Sequence, residues 1–306
     1  MAIRARVEDP PLFSIIIPSY QRPGPLSACL ASLGQLNFRQ TDFEVIVADD
    51  GSPAPLEQTV AYDGSAGEVR WVRHSVNEGP ASARNRAAEI ARGQCLVFID
   101  DDTLAEPDWL KQIQQTLCLS PGCAVGGKVV NGQPKKLCAA ADQAILDAVY
   151  AYYNPDPSRA RFFASMNLAV PADAFHQLGG FDTSYRVSED REFCSRWLAS
   201  GRGLVYAGDA VLIHDGHRNL AAFWRRHYEF GKGAYRFRSV EAHKAAGRVR
   251  LEPSNFYRSL LTAPFRSGVS LRTVAVCGLV GLSQAASALG FFSQSWRDHN
   301  STGRSS

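Results

Sequence analysis

The sequence predicts an α/β fold: a doubly wound, mostly parallel sheet with a mixed second half and a helical C-terminal extension. Short apolar runs rich in β-branched residues recur through the first hundred residues, helically spaced segments lie between them, and the links are short. With 306 residues, 45% hydrophobic and 21% charged, the chain can bury a sizeable core. Wholesale disorder, a collagen-like fibre and a small disulfide scaffold are excluded.

Leu12 to Ile17 is a continuous apolar run that reads as a buried first strand, stopped by Pro18. After Pro23 and Pro25, apolar residues at Leu26, Cys29, Leu30 and Leu33 mark one helical face. Phe43 to Ala48 is the second strand, Val69 to Val72 the third and Cys95 to Ile99 the fourth, with an Ala-rich helix from Pro80 to Arg92 before the last. Trp109, Ile113 and Leu117 mark another helix face, and Phe162-Phe163 with Asn167 to Val170 reads as a strand. Pro171 to Leu178 and Glu189 to Ala199 read as helices ended by glycines, and Val211 to Ile213 as a late strand leading to His214.

The stretch MAIRARVEDPP carries charge with no apolar run after it, so neither a secretory signal nor an anchor is expected there and the body is expected in the cytosol. The seven cysteines show no C-x-x-C pair, so reduced thiols and no zinc site are expected. Net charge is uneven. Residues 1–213 carry 19 Lys and Arg against 25 Asp and Glu, whereas residues 214–306 carry 14 against 5. A basic tail on an acidic body predicts a polyanionic partner for the tail.

Two acidic clusters, Asp49-Asp50-Gly51-Ser52 and Asp100-Asp101-Asp102, stand directly after predicted strands, where open α/β sheets bind ligands. The first also has the composition of an ordinary turn. The second is harder to explain structurally, because three consecutive carboxylates repel unless a cation neutralises them. Hard oxygen ligands indicate Mg²⁺ or Mn²⁺, completed by substrate phosphates. Neither a P-loop nor a G-x-G-x-x-G turn is present to cradle phosphate.

In order, Ser14 to Tyr20 (SIIIPSY), Val47 to Ser52 (VADDGS), Asn77 to Asn85 (NEGPASARN), Phe98 to Asp102 (FIDDD) and Glu189-Asp190 before a helix resemble glycosyltransferase family 2, over about residues 12–215. The resemblance implies the GT-A fold and an inverting, metal-dependent glycosyltransferase of the hexosyl-transferring class. It implies a UDP-, GDP- or dTDP-sugar donor bound by Pro18, Tyr20, Asp49, Asp50, Arg84 and Asp101. Tyr20 would stack on the base, Asp50 would hydrogen-bond it, Asp49 would lie near the ribose and Arg84 near the phosphates. Tyr20 also reads as a half-buried strand-end aromatic, and Arg84 as an exposed helix arginine. Asp102 and Asp100 would hold Mn²⁺ or Mg²⁺, and His214 matches a late metal-side histidine that some members supply. Ala164 to Ala169 is similar to the segment lining the sugar pocket.

Asp190 is the candidate base, with Glu189 its alternative. Inverting transfer needs a carboxylate opposite the departing nucleotide to take the acceptor hydroxyl's proton. Ser188 is placed to cap that helix, whose dipole favours ionised acids in its first turn. The expected division is residues 1–103 for the nucleotide-sugar half, 104–215 for the acceptor half and 216–306 for the basic extension. Within the extension, Asn219 to Arg238 mixes aromatics with Arg and Lys, and Thr273 to Phe292 is uncharged. No recognised nucleic-acid motif is present and no nucleic-acid partner is expected; the mixture also suits an anionic membrane surface, with a peripheral place on its cytoplasmic face, and reads equally as a solvated helix with a few aromatics in the core. Membrane-dipping, spanning and buried readings of Thr273 to Phe292 all stand. Ser301 to Ser306 reads as frayed. The acceptor is expected to be a glycan or lipid-linked precursor, as in polysaccharide biosynthesis. Rival functions are a nucleotidyltransferase and a receiver-like phosphoacceptor module. The sequence gives no oligomeric state.

Overall fold

The computed structural model describes residues 10–302 except 217, 218 and 245. The N-terminal MAIRARVED and the last four residues, on which the leader and part of the fraying expectation fall, lie outside the described residues.

In chain order the first half runs β1 (Phe13–Ser19), α1 (Pro23–Leu33), β2 (Phe43–Asp49), α2 (Leu56–Thr59), β3 (Val69–Arg73), α3 (Pro80–Ile90), β4 (Cys95–Ile99), β5 (Thr103–Ala105) and α4 (Trp109–Leu119). The second half runs β6 (Ala124–Asn131), α5 (Leu137–Tyr153), β7 (Asn167–Pro171), α6 (Ala172–Gln177), α7 (Glu189–Ala199), β8 (Leu204–His214), α8 (Leu220–Lys244), α9 (Ser254–Thr262) and α10 (Leu271–Thr302).

The strands form one eight-stranded sheet in the order β3-β2-β1-β4-β7-β6-β8-β5. β1 pairs in parallel with β2 and β4, and β2 with β3, while β7 runs antiparallel to β4 and β6. The parallel strands are apolar along their length because both faces are covered: every residue of β1 and β2 is buried. Leu26, Cys29, Leu30 and Leu33 of α1 join Ile15, Ile17, Val45, Val47 and Val97 in the core, as the spacing predicts.

The structure corrects several local expectations. β1 passes through Pro18 to Ser19; its pairing with β4 ends at Ile16↔Phe98, so the amide that Pro18 lacks is not needed on that side. Phe162 and Phe163 precede β7 without forming a strand, and the late strand is eleven residues long rather than three. β5, β6 and α5 had no counterpart in the reading of the sequence.

The chain divides into two compact units that interleave along it. The first comprises residues up to Lys128, Ser165–Gly180 and Ala207–Leu212; the second comprises Val129–Ala164, Phe181–Tyr206 and residues from Ile213 onward. In the second unit, Ala141, Ala148, Phe223, Leu260, Val276 and Val280 form a small core joining α5, α8, α9 and α10.

Candidate functional site

In the first unit, the C-terminal ends of β1, β2 and β4 collect the acidic residues that the sequence singled out. Asp49 closes β2, and its carboxylate accepts hydrogen bonds from the amides of Ser52 (2.9 Å) and Leu56 (3.1 Å). That is turn chemistry, completed by Arg73 Nε at 3.3 Å. Asp50 accepts from the amides of Glu78 and Gly79, both at 2.9 Å, with His74 Nδ1 at 3.1 Å, which ties the end of β2 to the start of α3. Gly51 has φ +76°, and a Cβ there would lie 2.5 Å from the backbone of Val76, so this turn requires glycine.

Asp100, Asp101 and Asp102 follow β4. Arg22, just beyond β1, reaches two of them, with Nη1 2.8 Å from Asp101 and Nη2 2.7 Å from Asp102. Ser19 Oγ donates to Asp101 at 2.6 Å, and Arg84 Nη2 donates to Asp100 at 2.7 Å. Burial, reinforced by the charges of Asp102 and Asp100, pushes the Asp101 carboxyl up to about 7 against the opposing pull of Arg22 and Ser19. Two guanidiniums thus reach the three carboxyl groups, of which Asp101 holds its proton more readily than an ordinary aspartate.

This donor set fits a hard divalent cation. Asp100 is partly open while Asp102 is nearly buried, so Asp100 is the more accessible of the two. Among the described residues no group of three or more His, Cys, Asp or Glu is disposed to hold a metal.

Arg84 is buried rather than an exposed helix arginine, held where its guanidinium meets Asp100. Tyr20 follows β1 with its side chain exposed, while Pro18 is buried within the strand. Asn167 of the expected sugar-side segment is fully buried: it accepts from Trp109 Nε1 at 3.0 Å and donates to the carbonyls of Lys128 and Ala210, a structural joint. Sequence reasoning missed Ser19, Arg22 and His74. A cation and a hydroxyl immediately beside a predicted strand end were the available signal for the first two.

In the second unit, Glu189 and Asp190 open α7 as expected, Glu189 buried and Asp190 less so. Ser188 occupies the cap position with φ +69° and makes no side-chain cap bond. Its hydroxyl lies against Gly233 of α8, where a Cβ would come within 2.6 Å of it. Asp190 accepts from the Arg191 amide at 2.7 Å. The Arg191 guanidinium donates to Glu252 at 2.7 Å and to the Tyr153 hydroxyl, and Arg238 donates to Glu252 at 2.9 Å, which fixes the first turn of α7. Burial pushes the Glu252 carboxyl up, but hydrogen bonds from Tyr153 and Arg191 and the charge of Arg238 outweigh it and leave it lowered. His214 ends β8, and its carbonyl accepts from the Gly132 amide at 2.9 Å.

Glycosyl transferase family 2 matches the chain over residues 14–179. The chain belongs to this family. It is 25% identical over 215 residues to the pre-mycofactocin glycosyltransferase of Mycobacterium tuberculosis, a match covering 69% of this chain and 44% of that protein. It is 26% identical over 236 residues to the validoxylamine A glucosyltransferase of Streptomyces hygroscopicus subsp. limoneus, covering 68% and 52%. The chain spans about half the length of these curated relatives. Among solved structures it is similar to the mannosyltransferase PcManGT from Pyrobaculum calidifontis in complex with GDP-Man and Mn²⁺, at TM-score 0.63 and 16% identity over 94% of this chain and 88% of that one. It is also similar to S. aureus TarS 1-349 in complex with UDP-GlcNAc, at TM-score 0.55 and 16% identity over 94% and 92%. The mixed sheet with its flanking helices is the GT-A fold of family 2 glycosyltransferases.

Proposed function

We propose that this family 2 member transfers a sugar, with inversion, from a UDP-, GDP- or dTDP-sugar to a hydroxyl of a glycan or lipid-linked precursor. The observation that carries the reading is the cluster of three carboxylates after β4, with the exposed Tyr20 directly after β1, at the strand ends where this fold binds ligands. The functional division would follow residues 1–103 for the donor, 104–215 for the acceptor and 216–306 for the basic extension.

Each role rests on the geometry of its own unit. The Tyr20 ring would stack on the base, with Asp50 and Asp49 at the base and ribose; both carboxylates already accept main-chain amides, so they would act from fixed positions. Arg84, held at Asp100, would face the phosphates, and Asp101 the sugar or ribose. Asp102 and Asp100 would hold Mn²⁺ or Mg²⁺, which when bound neutralises charge on the departing diphosphate. Asp190 would take the acceptor proton as the hydroxyl oxygen attacks C1, with Glu189 as the alternative base and His214 a further contributor on the metal side. An anionic surface on the cytoplasmic side of a membrane would receive the basic extension and present a lipid-linked acceptor.

The deciding experiment is a screen of nucleotide sugars for slow donor hydrolysis with Mn²⁺ present. Free nucleoside diphosphate from one donor class supports the proposal. Pyrophosphate formation from a sugar phosphate and a nucleoside triphosphate would instead mark a nucleotidyltransferase, and acquisition of phosphate from small phosphodonors a receiver-like module.

A further inference from the structure

The longest helix, α10, carries two apolar faces, and only one of them is covered. Val276, Val280, Ser283, Ala286 and Gly290 are buried. The approach to α8 is close: a Cβ on Gly290 would lie 1.9 Å from the Tyr228 carbonyl, and one on Gly231 the same distance from the Ser287 carbonyl. Ser287 Oγ also donates to the His227 carbonyl at 3.0 Å. That face belongs to the fold.

On the other side, Leu271, Val274, Leu289, Phe292 and Trp296 are 93%, 53%, 56%, 62% and 70% exposed. At about 100° per residue these positions fall within a sector about 60° wide. Gly278 and Ala285 are exposed within the same sector, and Ala275 and the partly exposed Ser293 lie at its edge. No charged residue occurs from Thr273 to Trp296. Basic side chains lie at both ends of the stripe, with Asp298 next to the one at its far end. At its start, Arg272 donates to the carbonyls of Pro134 and Lys135, which brings the exposed Lys135 and Lys136 alongside, and Arg297 is exposed at the far end.

We infer that α10 lies flat in the interface of an anionic lipid bilayer, with this stripe immersed and its flanking cations on the headgroups. By length and composition alone Leu271–Asn300 could cross a bilayer. Its covered face argues against that, because α8 is locked to α10 and carries Arg225, Arg226, Glu229, Lys232, Arg236, Arg238 and Glu241, which a spanning α10 would drag toward hydrocarbon. Lying in the plane immerses the open stripe and leaves α8 on the aqueous side. An interfacial tryptophan at one end of the stripe fits the same depth. The inference deepens the membrane-bound acceptor proposed above and rests on it for its purpose, not for the binding itself.

The test uses the full chain and vesicles of phosphatidylcholine with or without phosphatidylglycerol. The wild type should sediment with the anionic vesicles and leave them on alkaline carbonate extraction, while high salt weakens binding without abolishing it. Leu289→Glu/Phe292→Glu should bind at least about tenfold more weakly, with unchanged unfolding temperature and donor hydrolysis. Leu119→Glu, at an exposed site on α4, should bind as the wild type does. Wild-type binding by the double variant overturns the inference, and retention through carbonate overturns the in-plane geometry. A lipid-free dimer that the double variant converts to monomer would assign the stripe to a second copy instead. Absence of donor hydrolysis in every form would count against the proposed reaction and leave the sedimentation result to stand separately.

Discussion

Replacing Asp102 by Asn perturbs the candidate cation site at one atom's charge and almost nothing else. In the native cluster Arg22 reaches Asp101 and Asp102 while Arg84 reaches Asp100, and the substitution removes one carboxylate charge from this set. A unit charge pair about 4 Å apart is worth about 4 kcal/mol at an effective dielectric of 20. Desolvation returns much of that, and if a third survives in binding, the loss is about 1.4 kcal/mol, or tenfold. We therefore expect Mn²⁺ to bind about 10- to 100-fold more weakly in the presence of nucleoside diphosphate, with a matching loss of donor hydrolysis. Stability should change by no more than about 1 kcal/mol, because Asn keeps an oxygen for Arg22, Asp101 still holds the same guanidinium, and repulsion among the acids is relieved. The assay is Mn²⁺ titration followed by electron paramagnetic resonance, with calorimetric nucleotide binding and a melting curve beside it. Wild-type Mn²⁺ affinity and turnover in a correctly folded Asp102→Asn would refute the assignment, as would full activity of the wild type under thorough chelation.

Asp190→Asn should lower kcat by roughly 10²- to 10⁴-fold with donor affinity unchanged by calorimetry; normal turnover there with a dead Glu189→Gln would move the role to Glu189. At the opposite end of the sheet, burial pushes the Glu44 carboxyl up, but Ser14 Oγ, the Arg92 amide and the guanidiniums of Arg70 and Arg92 outweigh it and leave it lowered. Its stabilisation is thus present above the unfolded carboxylate range and lost as pH falls through the folded value. Glu44→Gln should cost about 2 kcal/mol at neutral pH, with the gap from wild type closing in acid; a pH-independent gap in chemical denaturation would contradict this. Gly290→Val should destabilise the chain by about 3 kcal/mol or more, because its Cβ would meet the Tyr228 carbonyl, whereas Gly278→Ala, with nothing within 4 Å, should be neutral or mildly stabilising; equal melting temperatures would argue against the close α8 and α10 approach.

What was legible in the sequence follows from which signals are local. β1 and β2 declare themselves because strands buried on both faces must be apolar throughout, and α7 because its acidic first turn and Gly201 bracket it at both ends. β6 was missed because AVGGKVVN carries two glycines and a lysine. Gly127 is there for a tertiary reason: a Cβ would come within 2.3 Å of Asn167 Nδ2. The Ala-rich α5 has only Asp142, Gln143 and Asp147 to mark a polar side, and its packing partners lie well ahead in the chain in α8, α9 and α10. The three aspartates stood out because consecutive charges after an apolar strand are costly anywhere. Their pairing with Arg22 spans some eighty residues of sequence and shows only in the fold. Ser188 makes no cap bond because its backbone is left-handed rather than extended, and its hydroxyl lies against Gly233, a contact that no local rule anticipates.

The measurement that bears most directly on the central claim is a crystal structure of the chain with Mn²⁺ and the nucleoside diphosphate selected by the hydrolysis screen. The account predicts a cation on Asp102 and Asp100, the base against the Tyr20 ring, and the diphosphate beside Arg84. A nucleotide seated away from the ends of β1 and β4, or an Asp102 and Asp100 that bind no cation with the nucleoside diphosphate present, would contradict it.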